Sequence, residues 1–114
     1  MNITTTIDGT SARIRVRGEI DFDTLPPLRA VAAALPPQVS DLEWDLTGTS
    51  FMDIAGLHLL FGPATSPACR TTVTGLGTQP LWLLFTASET DPTVFDLSRL
   101  LPDIAPAGFR PAVL

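Results

Sequence analysis

The residues best placed to do chemistry in this 114-residue chain surround Asp53, where a strand-like segment gives way to helical spacing. The Asp53 carboxylate can accept hydrogen bonds from the amides of Ala55 and Gly56, and a negative charge suits the positive end of a helix. Gly56 allows another backbone to approach the first turn closely. A plain N-cap is the alternative interpretation of Asp53. The segment therefore predicts a helix terminus that can serve as a docking surface.

The remaining reactive residue types are too sparse for catalysis or metal binding. His58 is the only histidine, and its helical position directs it away from Leu57 and Leu60 towards solvent. No nucleophile is placed against it, and one histidine with one distant cysteine, Cys69, falls short of the four ligands of a structural zinc site. We therefore expect no enzymatic activity, no metal site and no cofactor.

The composition excludes several partner classes. A formal net charge of −5 argues against nucleic acid, because phosphate backbones are bound by clustered positive charge. The apolar runs LHLLF and LWLLF are about five residues long, whereas about 20 are needed to cross a bilayer, so we expect no membrane insertion. There is no basic start followed by an apolar signal core, and the single cysteine fits a reducing compartment. We expect a cytoplasmic protein.

Alternating and helical patterns indicate an α/β domain with the order ββαβαβαα. Two strands are expected between Ile3 and Thr24 around an Asp8-Gly9 turn, and the others are Leu42–Leu46 and Thr71–Gly75, with a turn at Thr47–Ser50. Helices are expected at Thr24–Leu35 (N-cap Asp23 or Thr24), Ile54–Phe61, Gln79–Thr86, and from Asp91 with Val94, Leu97 and Leu101 along one stripe. Strands separated by helices predict a mixed sheet with helices packed mainly on one face.

Two surface features follow from this pattern. Arg13, Arg15 and Arg17 alternate with apolar residues, so they share a solvated face where Glu43 and Asp45 can pair with them if the two strands are neighbours. The segment from Trp82 to Phe85 holds more apolar residues than one helix face can bury. Either the last helix covers the remainder, which we favour, or a patch is exposed for self-association or a partner.

The stretch Thr49-Ser50-Phe51-Met52-Asp53-Ile54-Ala55-Gly56-Leu57 resembles the signature of STAS domains, the family of bacterial anti-sigma-factor antagonists. Val16–Asp21, Asp45-Leu46 and Thr72–Leu76 are similar to other family segments in the same order. The resemblance covers about residues 3 to 101. It implies a STAS-like single domain with a mixed, mostly four-stranded sheet over residues 1–102, followed by an irregular tail over 103–114.

The resemblance also implies a binding switch. In that family the unphosphorylated domain captures an anti-sigma factor that is also a serine kinase, and phosphorylation at the start of this helix ends the capture, since a phosphoryl group adds about −1.5 to −2 charge. Ala55 stands at the phosphorylated position and Ile54 at the polar position before it. Our hypothesis is that the module is locked in its binding-competent state or repurposed for another partner, unless Thr47, Thr49 or Ser50 carries the phosphate.

The predicted partner-binding surface combines the Gly18–Asp23 turn, the Thr49–Gly56 segment and the exposed part of the following helix at Leu57 and His58. Its residues are Gly18, Glu19, Asp21, Asp23, Ser50, Asp53, Ile54, Ala55, Gly56, Leu57 and His58. A non-switching subunit of a signalling scaffold or lipid-transport complex is the second interpretation, and a small ligand sensor or enzyme is the third. A homodimer is compatible with all three.

Overall fold

The computed structural model describes residues 1–61 and 69–95. The elements are β1 (Asn2–Asp8), β2 (Ser11–Ile20), α1 (Leu25–Ala33), β3 (Asp41–Met52), α2 (Ile54–Phe61), β4 (Arg70–Thr74) and α3 (Thr78–Thr90). Their order is the one predicted. Most of the helix expected after Asp91 and the tail over 103–114 lie outside the described residues.

The sheet has four strands in the order β1-β2-β3-β4. β1 and β2 are antiparallel, whereas β3 lies parallel to both β2 and β4. The mixed four-stranded sheet is therefore confirmed. The hairpin turn is shifted by one residue from the predicted Asp8-Gly9, because Asp8 pairs with Ser11 and leaves Gly9 and Thr10 as the loop. Gly9 has a φ of 64°, which favours glycine.

The core lies against one face of the sheet, as the alternation in the sequence predicts. Ala12, Ile14 and Val16 are buried on β2, and Trp44 is buried on the neighbouring β3. The helices supply the opposing side chains, among them Leu28 of α1 and Leu59 and Leu84 of the other two helices. Burial of this apolar area is the main stabilising contribution to the fold.

The other face carries the predicted ion pairs. Arg13 lies opposite Glu43 and Arg15 opposite Asp45 in the parallel register of β2 and β3. Their charged atoms are 3.3 Å and 3.1 Å apart, respectively. The prediction that these pairs form is confirmed, and because the arginines are half exposed each pair contributes at most about 1 kcal/mol.

The predicted turn at Thr47–Ser50 is wrong, because β3 continues without interruption to Met52. Arg17 pairs with Gly48 and Ile20 with Met52, with two register shifts between them. Turn-forming residue types are overridden here by pairing with the second half of β2. A side chain at position 48 would lie 2.8 Å from Cγ of Arg17, so Gly48 permits this close approach.

The helix boundaries also differ from those expected. α1 ends at Ala33 instead of Leu35, and Thr24 is its N-cap without a side-chain capping bond. α3 spans Thr78–Thr90, longer than the expected Gln79–Thr86. Trp82 is 57% exposed on α3. Most of the last helix that was expected to cover this segment lies outside the described residues.

Candidate functional site

The predicted site lies at the carboxyl ends of β2 and β3, where α2 begins. The Asp53 amide donates a hydrogen bond to the Ile20 carbonyl (3.1 Å), which joins the two strand ends. The crevice outside the carboxyl ends of parallel strands is a common place for binding sites in α/β sheets. We call this region the strand-end surface and define it by Glu19–Asp23, Ser50–Ile54 and His58.

Asp53 caps α2 in the predicted way, with one difference. Its Oδ1 accepts a hydrogen bond from the Ala55 amide at 2.8 Å. The Gly56 amide instead donates to the backbone carbonyl of Asp53 at 2.9 Å. The carboxylate therefore satisfies one free amide of the first turn and remains half-buried, with part of its surface open to solvent.

The prediction that Ala55, Gly56 and Leu57 are exposed for a partner is wrong. Ala55 has no exposed surface, Gly56 is buried, and Leu57 is 3% exposed. The cause is the nearly all-round apolar character of α2, whose first turn packs into the core. A Cβ atom on Gly56 would overlap the side chain of Met52, so the neighbour that requires glycine belongs to the same chain and not to a partner.

Three large apolar side chains are nevertheless exposed on the strand-end surface. Phe22 follows β2 and is 69% exposed, Phe51 on β3 is 41% exposed, and Ile54 at the start of α2 is 57% exposed. Ile54 was predicted individually to contact a partner, whereas Phe22 and Phe51 lay within the predicted Gly18–Asp23 and Thr49–Gly56 segments without being singled out. The exposure of Phe51 follows from the alternation of side chains along a strand, because the next residue, Met52, points into the core.

Polar and acidic residues lie near these apolar residues along the chain, and Glu19 pairs with Phe51 across β2 and β3. Glu19, Asp23, Ser50 and His58 are exposed, as predicted for contact residues. Together with the half-buried Asp53, the three carboxylates give this surface a negative character.

Two of the predicted contact residues shape the backbone instead. The Asp21 carboxylate accepts hydrogen bonds from the amides of Asp23 and Thr24, both at 3.0 Å. Gly18 has a φ of 120°, a conformation that L side chains rarely adopt, and it lies against Met1. Both residues therefore hold the turn that presents Glu19, Phe22 and Asp23.

Gln79 of α3 is a site residue that no sequence signal indicated. Its side-chain amide donates to the Met52 carbonyl and its Oε1 accepts from the Met52 amide, both at 2.9 Å. The pairing of β3 with β4 ends at Asp45 and Thr74, so no strand of the described part of the chain lies on that side of this end of β3. Gln79 supplies the missing hydrogen bonds one residue before Asp53.

The described residues hold no arrangement suited to a metal or a membrane. Within 1–61 and 69–95 there is no group of three or more histidine, cysteine, aspartate or glutamate side chains close enough to hold a metal ion. No helix in these ranges is long and apolar enough to cross a bilayer. A depression on the open face is lined by Arg15, Arg17, Asp45, Thr47 and Gly48. Arg15 and Asp45 pair with each other there.

Solved structures resemble this chain closely in fold. It matches the anti-sigma factor antagonist SpoIIAA in its unphosphorylated form with a TM-score of 0.61 and 20% identity, over 94% of this chain and 93% of that one. An anti-sigma factor antagonist from Mycobacterium paratuberculosis matches with a TM-score of 0.59 and 25% identity, over 93% and 89%. The STAS domain of a SulP transporter from Vibrio cholerae matches with a TM-score of 0.61 and 16% identity, over 95% and 84%.

No protein-family model and no curated protein sequence matches the chain. The structural matches nevertheless cover 93–95% of this chain. The chain therefore has the fold of the STAS domains, shared by anti-sigma factor antagonists and by a transporter domain.

Proposed function

We propose that this chain is a non-enzymatic, protein-binding regulator of the anti-sigma factor antagonist type, which works in the cytoplasm. The observation that carries the proposal is the exposure of Phe22, Phe51 and Ile54 at the strand ends of a STAS fold. Large apolar side chains ringed by polar groups are typical of a protein-binding surface. The partner proposed is an anti-sigma factor of the serine-kinase type.

The negative charge of the strand-end surface indicates which residue types a partner carries at its binding surface. Glu19 and Asp23 are exposed beside Phe22, and the whole chain has a formal net charge of −5. A partner that fits this surface offers an apolar centre with basic residues at its rim, because complementary charge steers association and disfavours wrong partners.

Residue 55 is an alanine and has no hydroxyl that a kinase could phosphorylate. This supports a module whose binding is not switched off by phosphorylation at that position. Ala55 is fully buried, so the hypothesis now depends on its missing oxygen and not on an exposed methyl group. Among the alternative phosphorylation sites, Thr49 is buried and its hydroxyl donates to the Val16 carbonyl, while Thr47 donates to Asp45. Thr47 and Ser50 are both exposed, and Ser50 lies on the strand-end surface.

Incubation with ATP and the candidate anti-sigma kinase tests this part of the proposal. Phosphopeptide mass spectrometry is expected to find no phosphate anywhere on the chain. Phosphate on Ser50 that abolishes binding would show instead that the switch has moved to the neighbouring strand.

Calorimetric titration of the anti-sigma factor tests the binding surface. Ile54→Glu is expected to raise the Kd at least about tenfold, which is the effect of losing about 1.4 kcal/mol. Val94→Glu is the matched control, because Val94 is also exposed but lies away from the strand-end surface. It follows α3 and precedes Phe95, whose ring contacts Phe61 at the far end of α2. Equal Kd values for the two variants would reject the strand-end surface.

A second candidate function is supported by the match to a transporter STAS domain, whose TM-score equals that of SpoIIAA. In this case the chain is a non-switching subunit of a larger assembly, such as a signalling scaffold or a transport complex. Co-purification from the native cell separates the two candidates, because the first yields an anti-sigma factor and the second a multi-subunit complex.

A further inference from the structure

We infer that two copies of this chain associate through their β1 strands. β1 lies at an edge of the sheet, and its outward backbone groups and side chains match those of a second copy in antiparallel register. β1 is the first strand in the sheet order, and among residues 1–61 and 69–95 it pairs only with β2. Within these ranges its other side therefore presents a row of unpaired amide and carbonyl groups, which is a template for another strand.

The hairpin geometry fixes which backbone groups face outwards. Asp8 and Ser11 flank a two-residue loop, so they form the hydrogen-bonded pair that closes it. Hydrogen-bonded and non-bonded pairs alternate along an antiparallel ladder. The β1 residues that bond to β2 are therefore Asn2, Thr4, Thr6 and Asp8. The residues that direct their amides and carbonyls to the free edge are Ile3, Thr5 and Ile7.

The far side of β2 supports this assignment. The Val16 carbonyl accepts a bond from the Thr49 hydroxyl, and the Ile20 carbonyl accepts one from the Asp53 amide, both towards β3. Even-numbered residues of β2 thus bond away from β1, which leaves the odd-numbered residues to bond to it.

Apart from Asp8 at its end, β1 has none of the residues that usually protect a sheet edge. The segment Asn2–Ile7 contains no charged residue and no proline, and it consists mostly of threonine and isoleucine, which favour strands. Its pairing with β2 has no bulge. Soluble proteins usually blunt an edge of this kind with lysine, proline or a bulge. Ile7 is 44% exposed, although its β2 neighbour Ala12 is buried.

A second copy of the chain satisfies this edge best. In an antiparallel pair centred on Thr5, that residue faces its own equivalent, Ile3 of one copy faces Ile7 of the other, and Asn2 faces Asp8. All outward amides and carbonyls are paired, the exposed Ile7 is covered, and no two like charges are opposite each other. The arrangement has two-fold symmetry and closes as a dimer.

The dimer leaves the strand-end surfaces free. Because the two-fold axis reverses the direction of β2, the two strand-end surfaces lie at opposite ends of the joined sheet. The dimer can thus bind two partner molecules at once.

Sedimentation equilibrium of the full chain between about 1 µM and about 1 mM tests the dimer. Thr5→Lys places two ammonium groups opposite each other at the symmetry axis and is expected to raise the dimer Kd at least about tenfold. Thr10→Lys adds the same charge in the exposed turn and is expected to leave the Kd unchanged. Ile54→Glu is also expected to leave it unchanged, which separates this interface from the strand-end surface.

Amide hydrogen exchange provides a readout that does not depend on how the variants fold. In the unsubstituted chain, the amides of Ile3, Thr5 and Ile7 are expected to become protected as concentration rises, whereas those of Thr4 and Thr6 are protected throughout. A chain that stays monomeric over the whole range would overturn the inference. So would a dimer in which these three amides remain unprotected.

Discussion

The side chain of residue 55 is enclosed at the start of α2, so its size and charge act on the fold before they act on any partner. Ala55 has no exposed surface, and its amide is held by the Asp53 carboxylate. The neighbouring Ile54 is exposed. Adjacent residues of one helix turn therefore differ, because Ala55 packs in the core and Ile54 is open to the proposed contact with a partner.

Ala55→Glu is predicted to destabilise the protein instead of blocking binding selectively. A carboxylate at this position is buried without a cationic partner, which costs about 3–5 kcal/mol in comparable cases. Urea unfolding measures the loss, with Ile54→Glu as the control, because that side chain remains in solvent. Equal unfolding free energies for the two variants would show that position 55 opens more readily than the structure indicates.

Asp53→Ala is predicted to lower the free energy of unfolding by about 0.5–2 kcal/mol, the usual cost of losing an N-cap. Asp53→Asn retains an oxygen that can accept the Ala55 amide and is expected to recover most of the loss. Asp23→Ala removes an exposed carboxylate from the same surface and is the matched control. A similar stability for Asp53→Ala and Asp23→Ala would mean that the cap contributes nothing.

At the scale of elements, the start of α2 is held in place from two sides. The Ile20 carbonyl of β2 accepts the Asp53 amide, and Gln79 of α3 bonds to both backbone groups of Met52. The bonds from Gln79 satisfy backbone groups of β3 beyond Asp45, where β4 no longer pairs with it. The geometry of the strand-end surface therefore depends on α3, which carries none of the proposed contact residues.

Gln79→Ala is predicted to lower the free energy of unfolding by about 1–3 kcal/mol, because two backbone groups lose their partner. It is also predicted to weaken partner binding, although Gln79 lies outside the proposed contact surface. Thermal unfolding and calorimetric titration measure the two effects, with Thr78→Ala as the control on the same helix turn. Unchanged values in both measurements would show that Gln79 of α3 does not hold the strand-end surface in place.

The Asp45 carboxylate links β2 to β3 and makes stability depend on pH. Burial alone raises the pKa of Asp45, but hydrogen bonds from the hydroxyl and amide of Thr47, together with Arg15, lower it below its ordinary value. Because the pKa is lower in the folded state, the stabilisation is present above the unfolded value of about 3.9 and is lost as the pH falls through the folded value.

Unfolding of Asp45→Asn at several pH values tests this link. The difference in stability between the unsubstituted chain and the variant is expected to be largest near neutral pH and to shrink as the pH falls below about 4. Asp8→Asn, which removes an exposed carboxylate at the end of β1, serves as the control. A constant difference for Asp45→Asn from neutral to acidic pH would contradict the assignment.

At the scale of the whole molecule, the sequence predicts most elements because its hydrophobic periods are regular. The alternation on β2, the Arg13–Glu43 pairing and the bounds of α2 are all confirmed. The continuation of β3 through Thr47–Ser50 was missed, because long-range pairing with β2 overrides local turn preference.

The candidate site was predictable in position but not in exposure. The Asp53 cap follows from residue types alone, whereas the burial of Leu57 depends on how α2 packs into the core. The exposure of Phe22 and the bonds of Gln79 to Met52 arise only when distant segments meet. Neither the alternation of a strand nor the apolar spacing of a helix predicts these contacts.

The proposed function depends on a protein partner that binds the strand-end surface. Amide chemical shifts of the isotopically labelled chain, recorded during titration with the proposed anti-sigma factor, locate this binding residue by residue. The perturbed amides are expected to concentrate in Glu19–Asp23, Ser50–Ile54 and His58. Perturbations centred on Arg13–Arg17 of the open face, or around Trp82 of α3, with the strand ends unchanged, would contradict it.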